Sequence, residues 1–416
     1  MKRIVQSLTK EQSRLENPKI RLGLQPFRYE DQNRVYIGLK DPLELSEILV
    51  LVPQDLYYLL EYFDGNHTIA DLTSAYMRKF NNFLQADRLV NMIKKMDDGL
   101  LLDNTRYQKR LQEVIAGYRK QKNRKPSCAG SSYPVDKPSL VEELEKYRRQ
   151  SVLSAGEIDK LKDKRIKGVV APHIDPRLGG ATYAAAYQAL AVAQPIDLFV
   201  ILGISHQPSR HPFIATSKDF DTPLGVTPTD EALLRDILDR CQTDFTQDEI
   251  VHRDEHSIEF QTVFLKYFVK SDFKILPVLC SFSHDMSTQE QRQFKEFVIA
   301  LRAALEDYSG TFCLMASIDF SHVGPYYGSP FIPDSYVLTK VENADKAIFE
   351  SLSQQNSKEF EQHFIRSNNQ YNVCGYPALR TLLELLPPSR AQLLAYDNAI
   401  MDEKRSTVTF ASMIFS

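Results

Sequence analysis

Leu198-Phe199-Val200-Ile201-Leu202-Gly203-Ile204-Ser205-His206 is the stretch that decides the fold. Its opening apolar run with β-branched residues reads as a buried strand. A glycine then interrupts it, and a polar Ser-His pair follows. The same order recurs twice. Gly168-Val169-Val170-Ala171-Pro172 leads into His173, and Thr311-Phe312-Cys313-Leu314-Met315-Ala316 leads into Asp319-Phe320-Ser321-His322. Seven of the nine histidines fall between His173 and His322. Open α/β sheets bind ligands at the carboxyl ends of their strands. Three strand ends that offer imidazole or carboxylate therefore predict one shared polar site, most simply a metal site.

Outward from this stretch, helical patterns (about 138–150, 180–193, 229–241, 255–268, 288–307, 338–354 and 376–386) alternate with apolar strands (about 167–171, 197–203, 212–217, 273–279, 311–317, 392–398 and 407–414). That alternation predicts an α/β layered domain over residues 126–416. The last strand alternates β-branched residues in a way suited to an antiparallel neighbour, so the sheet is expected to be mixed.

Residues 1–103 differ. Arg34-Val35-Tyr36-Ile37-Gly38-Leu39 alternates like a strand, and 53–63 looks helical with Pro53 in its first turn. Thr68 stands where a helix cap belongs. A third helix runs from about Ala86 to Met96, and Gly99-Leu100-Leu101-Leu102 reads as a short strand. This is a winged-helix-like order in a small α+β domain. Residues 104–125 read as a basic, solvated linker helix that Pro126 ends. With no clear basic recognition helix in the first domain, duplex binding is not expected.

Length favours two or three domains, and composition (43% hydrophobic, 25% charged, net charge −3) is that of a globular protein with no general pull toward nucleic acid or acidic membrane. No apolar stretch approaches the roughly 18 residues of a membrane span, and the N-terminus has no signal core. Five cysteines without CxxC spacing fit free thiols in a reducing cytoplasm.

Several motifs carry chemistry. His173 and His206 lie in loops stiffened by proline; alone each reads as structural, together as ligands. In His252-Arg253-Asp254-Glu255-His256-Ser257-Ile258-Glu259, a helix starting near Asp254 puts His256 and Glu259 on one face. The bland alternative is a solvated helix start, where acids are favoured. Asp319 precedes His322 by three residues, so a carboxylate can orient the imidazole or ligate metal itself. Cys374 precedes a helix whose N-terminus would favour thiolate, against the usual fate of a buried inert thiol.

Together, Cys128-Ala129-Gly130-Ser131-Ser132-Tyr133-Pro134, Ala171-Pro172-His173, Leu202-Gly203-Ile204-Ser205-His206, Asp254-Glu255-His256-Ser257-Ile258-Glu259, Asp319-Phe320-Ser321-His322 and Val373-Cys374-Gly375 resemble the Memo family, in prokaryotes the AmmeMemoRadiSam system protein B family. The resemblance covers about residues 126–416. Phe63-Asp64-Gly65-Asn66-His67-Thr68-Ile69-Ala70-Asp71-Leu72 and residues 96–102 resemble the PqqD-type winged-helix domain, which binds leader peptides; a plain helical docking domain is the alternative.

The Memo resemblance implies the fold of class III extradiol dioxygenases, which hold iron(II) with two histidines and a carboxylate. Carried over by motif, His173 and His206 would be imidazole ligands and Cys374 the third ligand. His322 would match the acid/base histidine with Asp319 beside it, and His256 would lie near the same pocket. Thiolate in place of carboxylate softens the site toward copper(I), zinc or thiolate-tolerant iron, so iron or copper is the expected cofactor, with zinc open. Ser132 stands where the family usually has tryptophan, and Ile174-Asp175-Pro176-Arg177 differs from the animal form, so substrate contacts do not carry over. Two functions follow as expectations. One is a metal-dependent oxidoreductase of dioxygenase type, acting beside radical-SAM and AMMECR-type partner proteins. The other is a non-enzymatic module with a vestigial pocket that binds a partner, with a leader peptide held by the N-terminal domain. Neither nucleic acid nor membrane is expected as a partner.

Overall fold

The structure, a computed structural model, describes residues 15–31 and 34–416. The chain divides into two compact units, Met1–Lys120 and Gln121–Ser416. Among the described residues no helix is long and apolar enough to cross a membrane.

In the first unit, β1 (Gln25–Asp31), β2 (Arg34–Lys40) and β3 (Val50–Pro53) form an antiparallel sheet in that order. A short helical segment (Gln54–Tyr57, continued as a 3-10 turn over Tyr58–Tyr62) follows where the pattern predicts a helix, and then three longer helices, α1 (Ile69–Phe80), α2 (Ala86–Asp98) and α3 (Thr105–Arg119). Thr68 starts α1 with a reciprocal capping box to Asp71, which satisfies two end donors at once. Val52, Leu56, Leu72, Leu89, Ile93 and Met96 make its core. The segment expected as a strand at 99–102 is reduced to a single bridge between Leu102 and Ile20.

The stretch read as one linker helix to residue 125 is two things. Helix α3 is capped by Asn104 and ion-paired through Arg106 to Asp98, all within the first unit. It stops at Arg119, and Asn123–Arg124 then form a strand beside Asp219 and Phe220. Arg124, expected to be solvated, is completely buried.

The second unit is built on an eight-stranded mixed sheet. Its strands are β4 (Gly168–Ala171), β5 (Leu198–Ile204), β6 (Phe213–Ala215), β7 (Lys274–Cys280), β8 (Phe312–Ser317), β9 (His322–Val323), β10 (Ala391–Ile400) and β11 (Thr407–Phe415). The order is β9-β11-β4-β8-β5-β7-β6, with β10 on the other edge of β11. The central four, β4, β8, β5 and β7, are parallel, and antiparallel β11 and β6 flank them. Parallel strands need both faces covered. One face packs Val200, Leu202 and Leu314 against α7 (Thr288–Glu306), α8 (Ser335–Ser353) and α10 (Tyr376–Leu385), with α9 (Ser357–Ser367) outside α10. The other packs Phe199, Ile201 and Met315 against α4 (Lys137–Gln150), α5 (Pro176–Val192) and α6 (His256–Phe268). The result is an α/β/α layered unit, the α/β class that the alternation predicts.

Helix α5 begins earlier than the pattern suggests, at Pro176 with Asp175 as cap. Gly179 and Gly180 are therefore inside the helix. A Cβ on Gly180 would meet the Tyr147 ring at 2.3 Å, so the glycine permits close packing of α5 on α4 rather than a loop.

Candidate metal centre

Register brings the site together. Ala171 pairs with Ser317 and Ala316 with Leu202, so β4, β8 and β5 finish level. Two residues past these ends, His173, Asp319 and His206 leave the sheet together at its carboxyl end. Helix α6 adds a fourth group there. Ser257 donates its Oγ hydrogen to Ile204 O at 2.9 Å and accepts from Ile204 N at 3.1 Å, which pins the start of α6, and hence His256, to the end of β5.

His173, His206 and His256 converge. Their ligand-capable atoms all lie within 4.8 Å of one another. Ring centroids are 5.1 Å apart for His173 and His206, 5.3 Å for His173 and His256, and 4.8 Å for His206 and His256, which stack. Each Nδ1 faces an acceptor. His173 Nδ1 lies 3.1 Å from Ser317 O. His206 Nδ1 lies 3.0 Å from Glu255 Oε1, and His256 Nδ1 lies 3.2 Å from the same oxygen. A ring nitrogen that donates to such an acceptor leaves the other as a ligand.

His173 is buried, and desolvation followed by repulsion from His206 and His256 holds its pKa well below the usual histidine value. It is therefore neutral, as a ligand must be. Desolvation also lowers His256, against the pull of Glu255. Burial would raise the Glu255 carboxyl, but the two imidazoles and backbone donors hold it well below the usual range. His206 is 40% exposed, so the cluster opens to solvent on that side.

Cys374 and Asp319 lie against His173. Cys374 Sγ is 3.4 Å from His173 Nε2, and Asp319 Oδ2 is 3.7 Å from it. The atoms that lie within 4.8 Å of one another belong to His173, His206 and His256, with Cys374 beside the first of them. The helix that follows Cys374 does not make it a thiolate. Burial, then the Asp319 charge, pushes the thiol pKa well up, because desolvation outweighs a helix end two residues away. Asp319 Oδ1 accepts from His173 N and Ile174 N at 3.0 and 3.1 Å. Burial still raises its carboxyl to about 7. His322 directs Nδ1 at Phe320 O, 3.0 Å away, and burial lowers its pKa to about 4. His322 is close enough to His206 for their charges to interact.

A cavity of about 300 Å³ opens beside His206 and Cys374, lined also by Ser281, Phe282, His284 and Asn369. The first three follow β7, the fourth parallel strand, and the strand-end rule that found His173 would have pointed to them. Asn369 Oδ1 accepts from Val373 N at 2.9 Å and shapes the turn that presents Cys374. Glu255 is the main residue missed; its acidity at a helix start looked like ordinary capping.

Residues 124–414 match the family described as Memo-like protein. A MEMO1 family protein of Aquifex aeolicus is 29% identical over 402 residues, covering 96% of this chain and 99% of that protein. A match that long includes the first unit. A MEMO1 family protein of Methanosarcina barkeri is 30% identical over 302 residues, 70% of this chain and 99% of its own length. One from Thermococcus onnurineus is 28% identical over 316 residues, again 70% and 99%.

Proposed function

This chain belongs to the Memo-like protein family, and from that premise we propose that its second unit holds a transition-metal ion, iron or copper, through His173, His206 and His256. The observation that carries the reading is three imidazoles whose ligand atoms converge, two of them, His173 and His206, with Nδ1 hydrogen-bonded to an acceptor. The donor set fits: imidazole suits iron, copper and zinc alike, and Cys374 beside His173 adds a soft donor. A bound iron or copper supplies Lewis acidity and one-electron chemistry. The chain's own residues supply the rest. Asp319, with a carboxyl near 7, can hold or release a proton at Oδ2, 3.7 Å from His173. His322, neutral above about pH 4, offers an unprotonated ring nitrogen as an acceptor. The cavity beside His206 admits a small substrate. The reaction class we propose is oxidation in a dioxygenase-like pocket, within a radical-SAM-associated modification system.

The test is elemental analysis of the purified protein and of His206→Ala and His256→Ala. Wild type is expected to carry iron or copper and both variants to lose it. Equal metal content in all three overturns the site.

We further propose that the first unit captures a partner's peptide. What supports this is β1, an edge strand exposed along its whole length, since such an edge can add a strand. Deleting the first unit should abolish capture of AMMECR-type or radical-SAM partners in pull-down; undiminished capture refutes it.

A further inference from the structure

We propose that Gln261 is the positioning residue that joins the parts of this centre: its side-chain amide ties the strand end that carries His173 to the helix that carries His256, and so sets the spacing of the imidazoles. The inference rests on the metal-site reading above, and its first readout needs no metal.

The three imidazoles come from three elements. His173 follows β4, His206 follows β5 and His256 starts α6. Their convergence needs something that fixes those elements to one another. Ser257 fixes α6 to β5 through both backbone groups of Ile204. Gln261 stands four residues on, on the same face of α6, and does the same for β4 and β8. Its Nε2 donates to Pro172 O at 2.8 Å and to Ser317 Oγ at 2.6 Å. Pro172 O belongs to the peptide group that enters His173. Ser317 O is the acceptor that faces His173 Nδ1 at 3.1 Å. Gln261 therefore holds His173 twice, by its backbone and, through Ser317, by its ring. Ser317 Oγ gives its own hydrogen to Ser257 O, which links the two clamps. Gln261, Ser257 and Ser317 are all completely buried.

The position calls for an amide. Pro172 O can only accept, so the NH2 must face it. Ser317 Oγ has its hydrogen on Ser257 O, so it accepts the second N–H. The amide oxygen then accepts from the Tyr187 hydroxyl, itself buried. Methionine is close in size and offers neither donor. Asparagine keeps the amide and loses the reach of one methylene. None of these groups titrates in the neutral range.

The experiment compares crystal structures of the metal-free full chain, wild type and Gln261→Met. Zn²⁺ competition titration follows, as a double-mutant cycle with His173→Ala. In Gln261→Met the His173 and His256 rings are expected to move apart from 5.3 Å, while His206 and His256 keep their 4.8 Å. Zn²⁺ affinity should fall about 10- to 100-fold, the usual effect of losing a group that orients a ligand. In the His173→Ala background the same substitution should change affinity by less than about twofold, because the ligand it positions is gone; a merely structural loss would be equal in both backgrounds. An unmoved His173, unchanged Zn²⁺ affinity or an equal loss in both backgrounds overturns the proposal. If His173→Ala binds Zn²⁺ too weakly to titrate, the ring separations decide. If Gln261→Met does not fold, Gln261→Asn takes its place with the same expectations. Wild type that binds no Zn²⁺, with His173 displaced in Gln261→Met, overturns the metal reading and leaves the role of Gln261 standing.

Discussion

Glu259 accepts no hydrogen bond from the three clustered imidazoles, yet through Arg124 it holds the segment that leads into His256. Its carboxylate takes the Arg124 guanidinium, Ser127 N at 3.0 Å, Cys128 N at 2.9 Å and the Tyr133 hydroxyl. Arg124 in turn donates to His252 O at 2.9 Å and Glu255 O at 2.8 Å. Both partners are fully buried, so removing one leaves an uncompensated charge. Glu259→Gln should cost about 3–5 kcal/mol at neutral pH, read from the urea midpoint. Burial would raise the Glu259 carboxyl, but Arg124 and the donors around it bring it below its ordinary 4.5. A depressed carboxyl stabilises above its unfolded pKa, and the contribution is lost as pH falls through the folded one. The gap between wild type and Glu259→Gln should therefore narrow on acidification below pH 4.5; a constant gap would show that the pair is not its source. At this scale the sequence was legible where a residue follows a strand. His173, His206 and Asp319 were found that way. Arg124 was not, because it sits between Lys122 and Lys125 in a basic run whose other members are exposed. Glu255 was not, because an acid before a helix has a sufficient local reason to be there.

Elements were easier to read than their ends. The parallel strands appear in the sequence within a residue or so of their observed limits, since burial on both faces leaves continuous apolar runs. The small sheet of Asn123–Arg124, Asp219–Thr222 and Gly225–Thr227 was invisible. Its strands are two to four residues long, and acids interrupt the longest. The contact that matters most between elements is that of β5 with the start of α6. A Cβ on Gly203 would meet Ser257 Oγ and Ile258 Cγ1, each at 2.7 Å. Gly203→Ala should cost about 1–3 kcal/mol by overpacking. It should also weaken Zn²⁺ binding, because it drives His256 away from His206. A stability loss with unchanged affinity would show that the two histidines do not depend on this contact.

For the whole molecule, the two units predict different responses to metal. Binding to the folded second unit alone should add about 2.7 kcal/mol to its stability at a free metal concentration 100 times Kd. The unfolding of the first unit should not move. Calorimetry with and without Zn²⁺ checks this, and a shift in both transitions would contradict a site confined to residues 121–416. The structure divides after Lys120, so α3 falls within the first unit.

The buried Arg124 has a practical consequence for anyone trimming this protein. The proline at 126 invites a cut, and a fragment begun there would look complete by its strands and its histidines. It would lack the cation that Glu259 was folded around, and the backbone clamp on Glu255 with it. Begun at Gln121, the fragment retains both.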